Sequence, residues 1–222
     1  MNRTSWIPAH RQEELRSLVQ RSRQVVLLAA LTGAITGLIV AGFEALAAEV
    51  LFDRVLEMSP WVAAWLPGLG LLVGLAIRKW IGRGVSPSTT DEYLHAFHDP
   101  HHRLGLRALI ARMLAAVATI GSGVPMGMEG PSLYAGATLG GEIQKRLPGT
   151  FRAADRRLLM TAGAAAGVAA IFKAPATGAV FALEVPYQDD LARRMLLPAM
   201  VASATGYLSF VAIHGTTALF PV

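Results

Sequence analysis

The chain has 222 residues, of which 53% are hydrophobic and 16% charged, with a formal net charge of +5. Soluble domains carry about a quarter charged residues, so this composition, with a mean hydropathy of +0.45, describes a polytopic membrane protein. The bases cluster at the ends of apolar segments, as orientation signals would, which speaks against nucleic-acid binding, and the lack of cysteine excludes disulfides and thiolate metal sites.

Residues 1–23 are polar and basic, with Arg3, Arg11, Arg16, Arg21 and Arg23. Arginines just before a first span predict a cytoplasmic segment over 1–23, followed by a transmembrane domain over 24–222. No short apolar core precedes a small-residue cleavage site, so no signal peptide is expected. Pro8 predicts the start of a short amphipathic helix ending near Val19. Residues 25–43 carry no charge and are long enough to span a bilayer. Gly33 and Gly37 give this span a face for close helix contact. Glu44 and Glu49 follow at the far interface, and Asp53, Arg54 and Glu57 mark an aqueous loop. Residues 60–77 form a second span with Trp61 and Trp65 as interfacial anchors and Gly70 and Gly74 as a second small-residue face. Arg78, Lys79 and Arg83 return the chain to the cytoplasmic side.

The run Gly82-Arg83-Gly84-Val85-Ser86-Pro87-Ser88-Thr89-Thr90-Asp91-Glu92 reads as a helix N-terminus, with the helix reaching about Phe97. His95, His98, His101 and His102 lie close in sequence, but in a polar loop they suit solvated side chains better than a metal site. Residues 106–120 are apolar except for Arg107 and Arg112, and they lead into Gly121-Ser122-Gly123-Val124-Pro125-Met126-Gly127-Met128-Glu129-Gly130-Pro131.

Here a carboxylate, Glu129, sits between glycines in an apolar region, with Pro131 in the first turn of a new helix. Such a helix start, buried at membrane depth, offers free N–H groups and a positive dipole end to an anion. The plainer alternative is a glycine-rich turn whose glutamate caps its own helix. The following helix, to about Arg146, is interrupted by Gly136, Gly140 and Gly141. Half-length, glycine-interrupted helices near the midplane are how transporters build ion sites. Residues 155–172 contain the small-residue run 161–170, read as packing alone. Phe172-Lys173-Ala174-Pro175 breaks it, and a short apolar helix over 176–184 ends before Pro186. Glu184 closes that run, either as an interfacial helix-end charge or as a second functional acid. A polar connection and a last span over 195–213 complete the chain.

Gly127-Met128-Glu129-Gly130-Pro131 resembles the Gly-Arg-Glu-Gly-Pro signature of the CLC chloride channel and transporter family. Thr161-Ala162-Gly163-Ala164-Ala165-Ala166-Gly167, then Phe172-Lys173-Ala174-Pro175 and Phe181-Ala182-Leu183-Glu184, resemble that family in order and spacing. Gly82-Arg83-Gly84-Val85-Ser86 sits where the family has Gly-Ser-Gly-Ile-Pro. The resemblance runs from about residue 25 to residue 222 and implies an all-α, polytopic fold with short, tilted and half-spanning helices.

The resemblance implies that Glu129 is a gating carboxylate and that backbone N–H groups of Met128, Glu129 and Gly130 help bind chloride or another small anion. It makes Val85 and Ser86 candidates for the central site. Without a gap, the family's serine aligns with Arg83; with a slipped register, Ser86 supplies the hydroxyl. Glu184 is the candidate for a proton path. Val185 stands where proton exchangers of the family often carry an internal glutamate, which favours passive conduction. Met128 replaces the signature arginine; an altered signature arginine and a missing internal glutamate also occur in fluoride-exporting relatives, so fluoride stays open beside chloride.

The resemblance covers only the first of two inverted halves, so the second half is expected in the same longer chain or in another chain. It implies a homodimer, with residues 176–186 and 194–213 as contact helices, in a bacterial inner membrane and with no cofactor. A non-conducting half-protein is the structural alternative. An intramembrane enzyme using Glu129, Glu184 and the histidines lacks a metal triad or serine–base pair at recognisable spacing.

Overall fold

A computed structural model of the chain describes residues 9–146, 153–186 and 193–216, all of whose regular elements are helical. The first, α1 (Ala9–Glu44), is one continuous helix of 36 residues. It does not stop near Val19, because neither glycine nor proline occurs between Ala9 and Thr32 and the arginines, glutamates and leucines there favour helix. It continues into a π-helical stretch (Ala45–Phe52) and a last α-helical turn, α2 (Asp53–Leu56). The expected aqueous loop therefore begins later, at Glu57.

The second apolar segment is bent. α3 (Pro60–Ala63) and α4 (Leu66–Trp80) are separated by a turn at Ala64–Trp65. Pro67, in the first turn of α4, explains the break: it cannot donate into a helix running through from α3. The remaining helices are α5 (Thr90–His98), α6 (Leu106–Gly121), α7 (Glu129–Lys145), α8 (Ala153–Phe172), α9 (Pro175–Glu184) and α10 (Arg193–His214). Among the described residues, three helical segments are long and apolar enough to cross a membrane: Arg23–Leu56, Pro60–Trp80 and Arg194–His214. α6, α7 and α9, with 16, 17 and 10 residues, fall short of the about 20 residues a span needs, in keeping with the short, half-spanning helices that the family resemblance implies.

Glycines bring the backbones together. A Cβ on Gly136 of α7 would strike the Gly163 carbonyl of α8, and the reverse holds for Gly163. One turn further, Gly140 lies against the Leu159 carbonyl and Gly167 against the Ser132 carbonyl. Gly33 and Gly37 of α1 meet Ala202 and Gly206 of α10 in the same way. Without water to drive apolar side chains together in a bilayer, such close approach supplies the dispersion contacts that hold helices. Around this seam, Tyr93, Phe97, Leu133, Tyr134, Val168 and Leu183 fill the core.

Candidate anion site

The site grows from the junction of α6 and α7. α6 ends where Ser122 Oγ donates to the Thr119 carbonyl at 2.7 Å and Gly123 takes φ +96°, a left-handed conformation that glycine adopts without strain. Met126 N–H donates to the Val124 carbonyl at 2.8 Å, and α7 then begins at Glu129. The residue before it, Met128, offers no side-chain cap. Its side chain packs instead on the apolar cluster of Phe43, Ala47 and Ile120. Pro131 has no N–H, and Ser132 N–H already donates to the Met128 carbonyl at 3.1 Å. That leaves the Glu129 and Gly130 N–H groups at the mouth of the helix without a hydrogen-bond partner among the described residues.

The Glu129 carboxylate is half-buried and folds back over Gly127, where a Cβ would collide with it. Gly127 leaves the space in which the carboxylate lies. On the other flank, a Cβ on Gly130 would strike Thr89 Oγ1. Thr89 precedes the first residue of α5, so the N-termini of α5 and α7 meet at this point, and their dipoles both favour negative charge here. A cavity of about 280 Å³ opens beside the junction, lined by Thr89, Gly127, Gly130 and Pro131 together with Gly74 and Arg78 of α4 and Arg112 and Thr119 of α6.

The loop before α5 is held by two arginines. Arg78 donates from Nε at 3.3 Å and Nη2 at 3.0 Å to the Val85 carbonyl, and Arg112 Nε donates to the Ser86 carbonyl at 3.2 Å. Two carbonyl oxygens that would repel an anion are thereby turned onto cations. Ser86 is half-buried, and its hydroxyl accepts Ser88 N–H at 3.1 Å. Arg83 is exposed and has φ 57°.

Arg112 is the functional candidate that the sequence pattern undervalued. It is only 5% exposed, stacks 4.4 Å from the Tyr134 ring centroid, and places Nη2 3.5 Å from Glu92 Oε1. The other Glu92 oxygen lies 2.9 Å from His102 Nε2. An arginine a turn and a half inside a mostly apolar helix, beyond the Arg107 at its start, was the available signal.

The structure does not bring Glu184 to Glu129. Glu184 is exposed at the end of α9, between Ala182, whose carbonyl accepts the Tyr93 hydroxyl at 3.1 Å, and Pro186, whose carbonyl lies 2.8 Å from His98 Nε2. These contacts place it toward the C-terminal end of α5, a helix about 13 Å long whose other end meets Gly130. The loop histidines are engaged separately: His98 with Pro186, His102 with Glu92, and His95 edge-on to His102. In the same loop, the His101 N–H, 2.8 Å from Asp99 Oδ1, holds that carboxyl below its ordinary range.

A family model described as voltage gated chloride channel matches residues 69–222. The chain is 33% identical over 149 residues to a chloride/fluoride channel protein of Pseudomonas syringae pv. tomato, covering 66% of this chain and 32% of that protein. It is 29% identical over 189 residues to the H(+)/Cl(-) exchange transporter ClcA of Salmonella paratyphi B, covering 78% of this chain and 39% of the relative. It therefore spans well under half the length of these relatives. Among solved structures, a CLC-type fluoride/proton antiporter superposes with a TM-score of 0.74 at 22% identity, over 86% of this chain and 47% of the other. A slow cyanobacterial Cl-/H+ antiporter gives 0.73 at 21%, over 87% and 48%. These two likenesses establish the fold.

Proposed function

Starting from the fact that the chain belongs to the voltage-gated chloride channel family and is an integral membrane protein, we propose that it builds one side of a transmembrane anion pathway gated by Glu129. The carrying observation is the meeting of the α5 and α7 N-termini at Thr89 and Gly130, with the Glu129 carboxylate folded over Gly127 next to unpaired N–H groups. Carboxylate and anion compete for those donors. Protonation of Glu129, or its displacement, frees them for the anion. Backbone dipoles replace part of a halide's hydration without a full charge, so the ion is held loosely enough to leave. Arg78 and Arg112 add positive potential, but their hydrogen bonds to carbonyls and the Glu92 contact keep them from trapping the ion.

Chloride is the expected substrate, with fluoride the competing halide. The half-buried Ser86 is favoured over the exposed Arg83 as the hydroxyl of a central site. The second half of the pathway comes from the same longer chain or from another one. Homodimer contact uses the outward Val180 and Phe181 of α9 and Leu197 and Met200 of α10, which the rest of the chain leaves exposed. The N-terminus faces the cytoplasm of a bacterial cell. Proton-coupled exchange is the second reading, favoured by the named exchanger among the relatives, and Glu184 is its candidate acid.

Chloride efflux from liposomes holding the 222-residue chain tests the gate against empty liposomes. The expected result is flux that Glu129→Ala raises several-fold. Flux identical in the two proteins removes the gating role. No flux from inserted, folded chain assigns conduction to the assembly with the second half.

A further inference from the structure

At the end of α1 remote from its arginine-rich start, Glu44 is followed directly by the π-helical stretch. In an α-helix, residues five apart point about 140° away from one another. π winding links residues five apart and stacks them on one face. Glu44 and Glu49 are such a pair, and both reach toward His214, the last residue of α10. Its Nε2 lies 2.6 Å from Glu44 Oε2 and 3.7 Å from Glu49 Oε1. The three potential ligand atoms all fall within 4.8 Å of one another.

The His214 side chain is only 6% exposed and stacks on Phe210, with centroids 4.6 Å apart. Neither ring nitrogen has a hydrogen-bond partner among the described residues, and neither has Glu44 Oε2. The 2.6 Å approach therefore lacks the direction of a hydrogen bond. Three potential ligand atoms this close, with no hydrogen bond among them, are what a metal ion can organise. Zinc bonds of about 2.0–2.2 Å set tetrahedral ligand atoms about 3.4 Å apart; the Glu49–His214 separation of 3.7 Å is close to that, and the 2.6 Å Glu44–His214 contact has to open by roughly 0.8 Å to admit the ion.

We propose that Glu44, Glu49 and His214 form a binding site for a divalent transition-metal ion of the zinc class. The imidazole selects against calcium and magnesium, which prefer all-oxygen shells. A divalent ion neutralises both carboxylates and replaces the close, poorly directed Glu44–His214 contact with a directed bond to the buried imidazole. Glu49 is 60% exposed, which leaves a path for entry and an open position for water. The ion ties the end of α10 to the α1–π junction, on the helix pair that Gly33 and Gly37 already hold together.

The test is calorimetric titration of zinc chloride into the chelator-stripped 222-residue chain in detergent, with cobalt absorption as a second readout. One equivalent should bind, calcium should not compete, and Glu49→Gln should weaken binding roughly tenfold or more. His214→Ala should weaken it further. Should His214→Ala fail to fold, Glu49→Gln decides, because its exposed side chain packs little. Failure of the wild-type chain to bind one equivalent overturns the site. So does zinc affinity unchanged in Glu49→Gln, which would place the ion on the histidines of the 95–102 loop.

Discussion

Where α7 crosses α8, Gly136 faces Gly163 and backbone touches backbone. Where α4 crosses α6, Gly70 faces both the Ser122 side chain and the Ala118 carbonyl, but Gly74 receives a side chain, the Thr119 methyl, with the Ala115 carbonyl farther off at 3.4 Å. Backbone cannot yield without moving a whole helix, whereas the Thr119 methyl, 2.9 Å from a Cβ on Gly74, has to give by only a few tenths of an ångström. The first seam is buried on both sides; the second is flanked by exposed Leu69, Leu72 and Leu75, and the cavity opens along it. The pathway residues thus sit between a locked scaffold, which fixes the start of α7, and a compliant wall. Neither helix composition nor length alone shows this. It follows from what each glycine faces.

Gly136→Leu breaks the comparison most severely. It drives a side chain into the Gly163 carbonyl, and the expected loss exceeds about 3 kcal/mol, seen as aggregation or a collapsed Tm in detergent. Gly74→Ala, whose Cβ meets Thr119 Cγ2 at 2.9 Å, should cost under about 1 kcal/mol. Equal losses would erase the distinction between the two seams.

Arg112→Met comes next, at about 2 kcal/mol, because it takes the arginine from Glu92, which keeps His102, and frees the Ser86 carbonyl. Adding Glu92→Gln should recover part of that loss in the same thermal assay. No recovery would mean that Arg112 acts through the Ser86 carbonyl and packing on Tyr134 rather than through Glu92.

Gly141→Ala reverses the sign. A Cβ at this position would meet nothing within 4 Å, so alanine should stabilise α7 by about 0.5–1 kcal/mol through helix propensity. A loss there would show that α7 packs on a further face.

The smallest effect is at Asp99. Its lowered pKa contributes stability that is present above the ordinary carboxylate value and is lost as pH falls through the lowered one. Asp99→Asn should flatten that acid limb in a pH series of melts and change nothing at neutral pH.

Much of the scaffold was legible in the sequence. Gly33/Gly37 and the small-residue run 161–170 announced close helix contacts, and Pro131 fixed the start of α7 to within a few residues. The chain through 45–56 was not, because acids and Arg54 read as loop, while the lack of glycine and proline keeps it helical. At the site, Glu129 stood out by its glycine neighbours. Arg112 did not, because its importance lies in Ser86, Glu92 and Tyr134, which come from three separate segments. Spacing along one helix cannot reveal such a convergence.

Anomalous diffraction from bromide-soaked crystals of Glu129→Gln bears most directly on the anion site. The account predicts a bromide peak within hydrogen-bond reach of the N–H groups of residues 129 and 130, beside Thr89. A well-ordered α7 N-terminus with no halide there, and bromide bound elsewhere in the cavity, would contradict it.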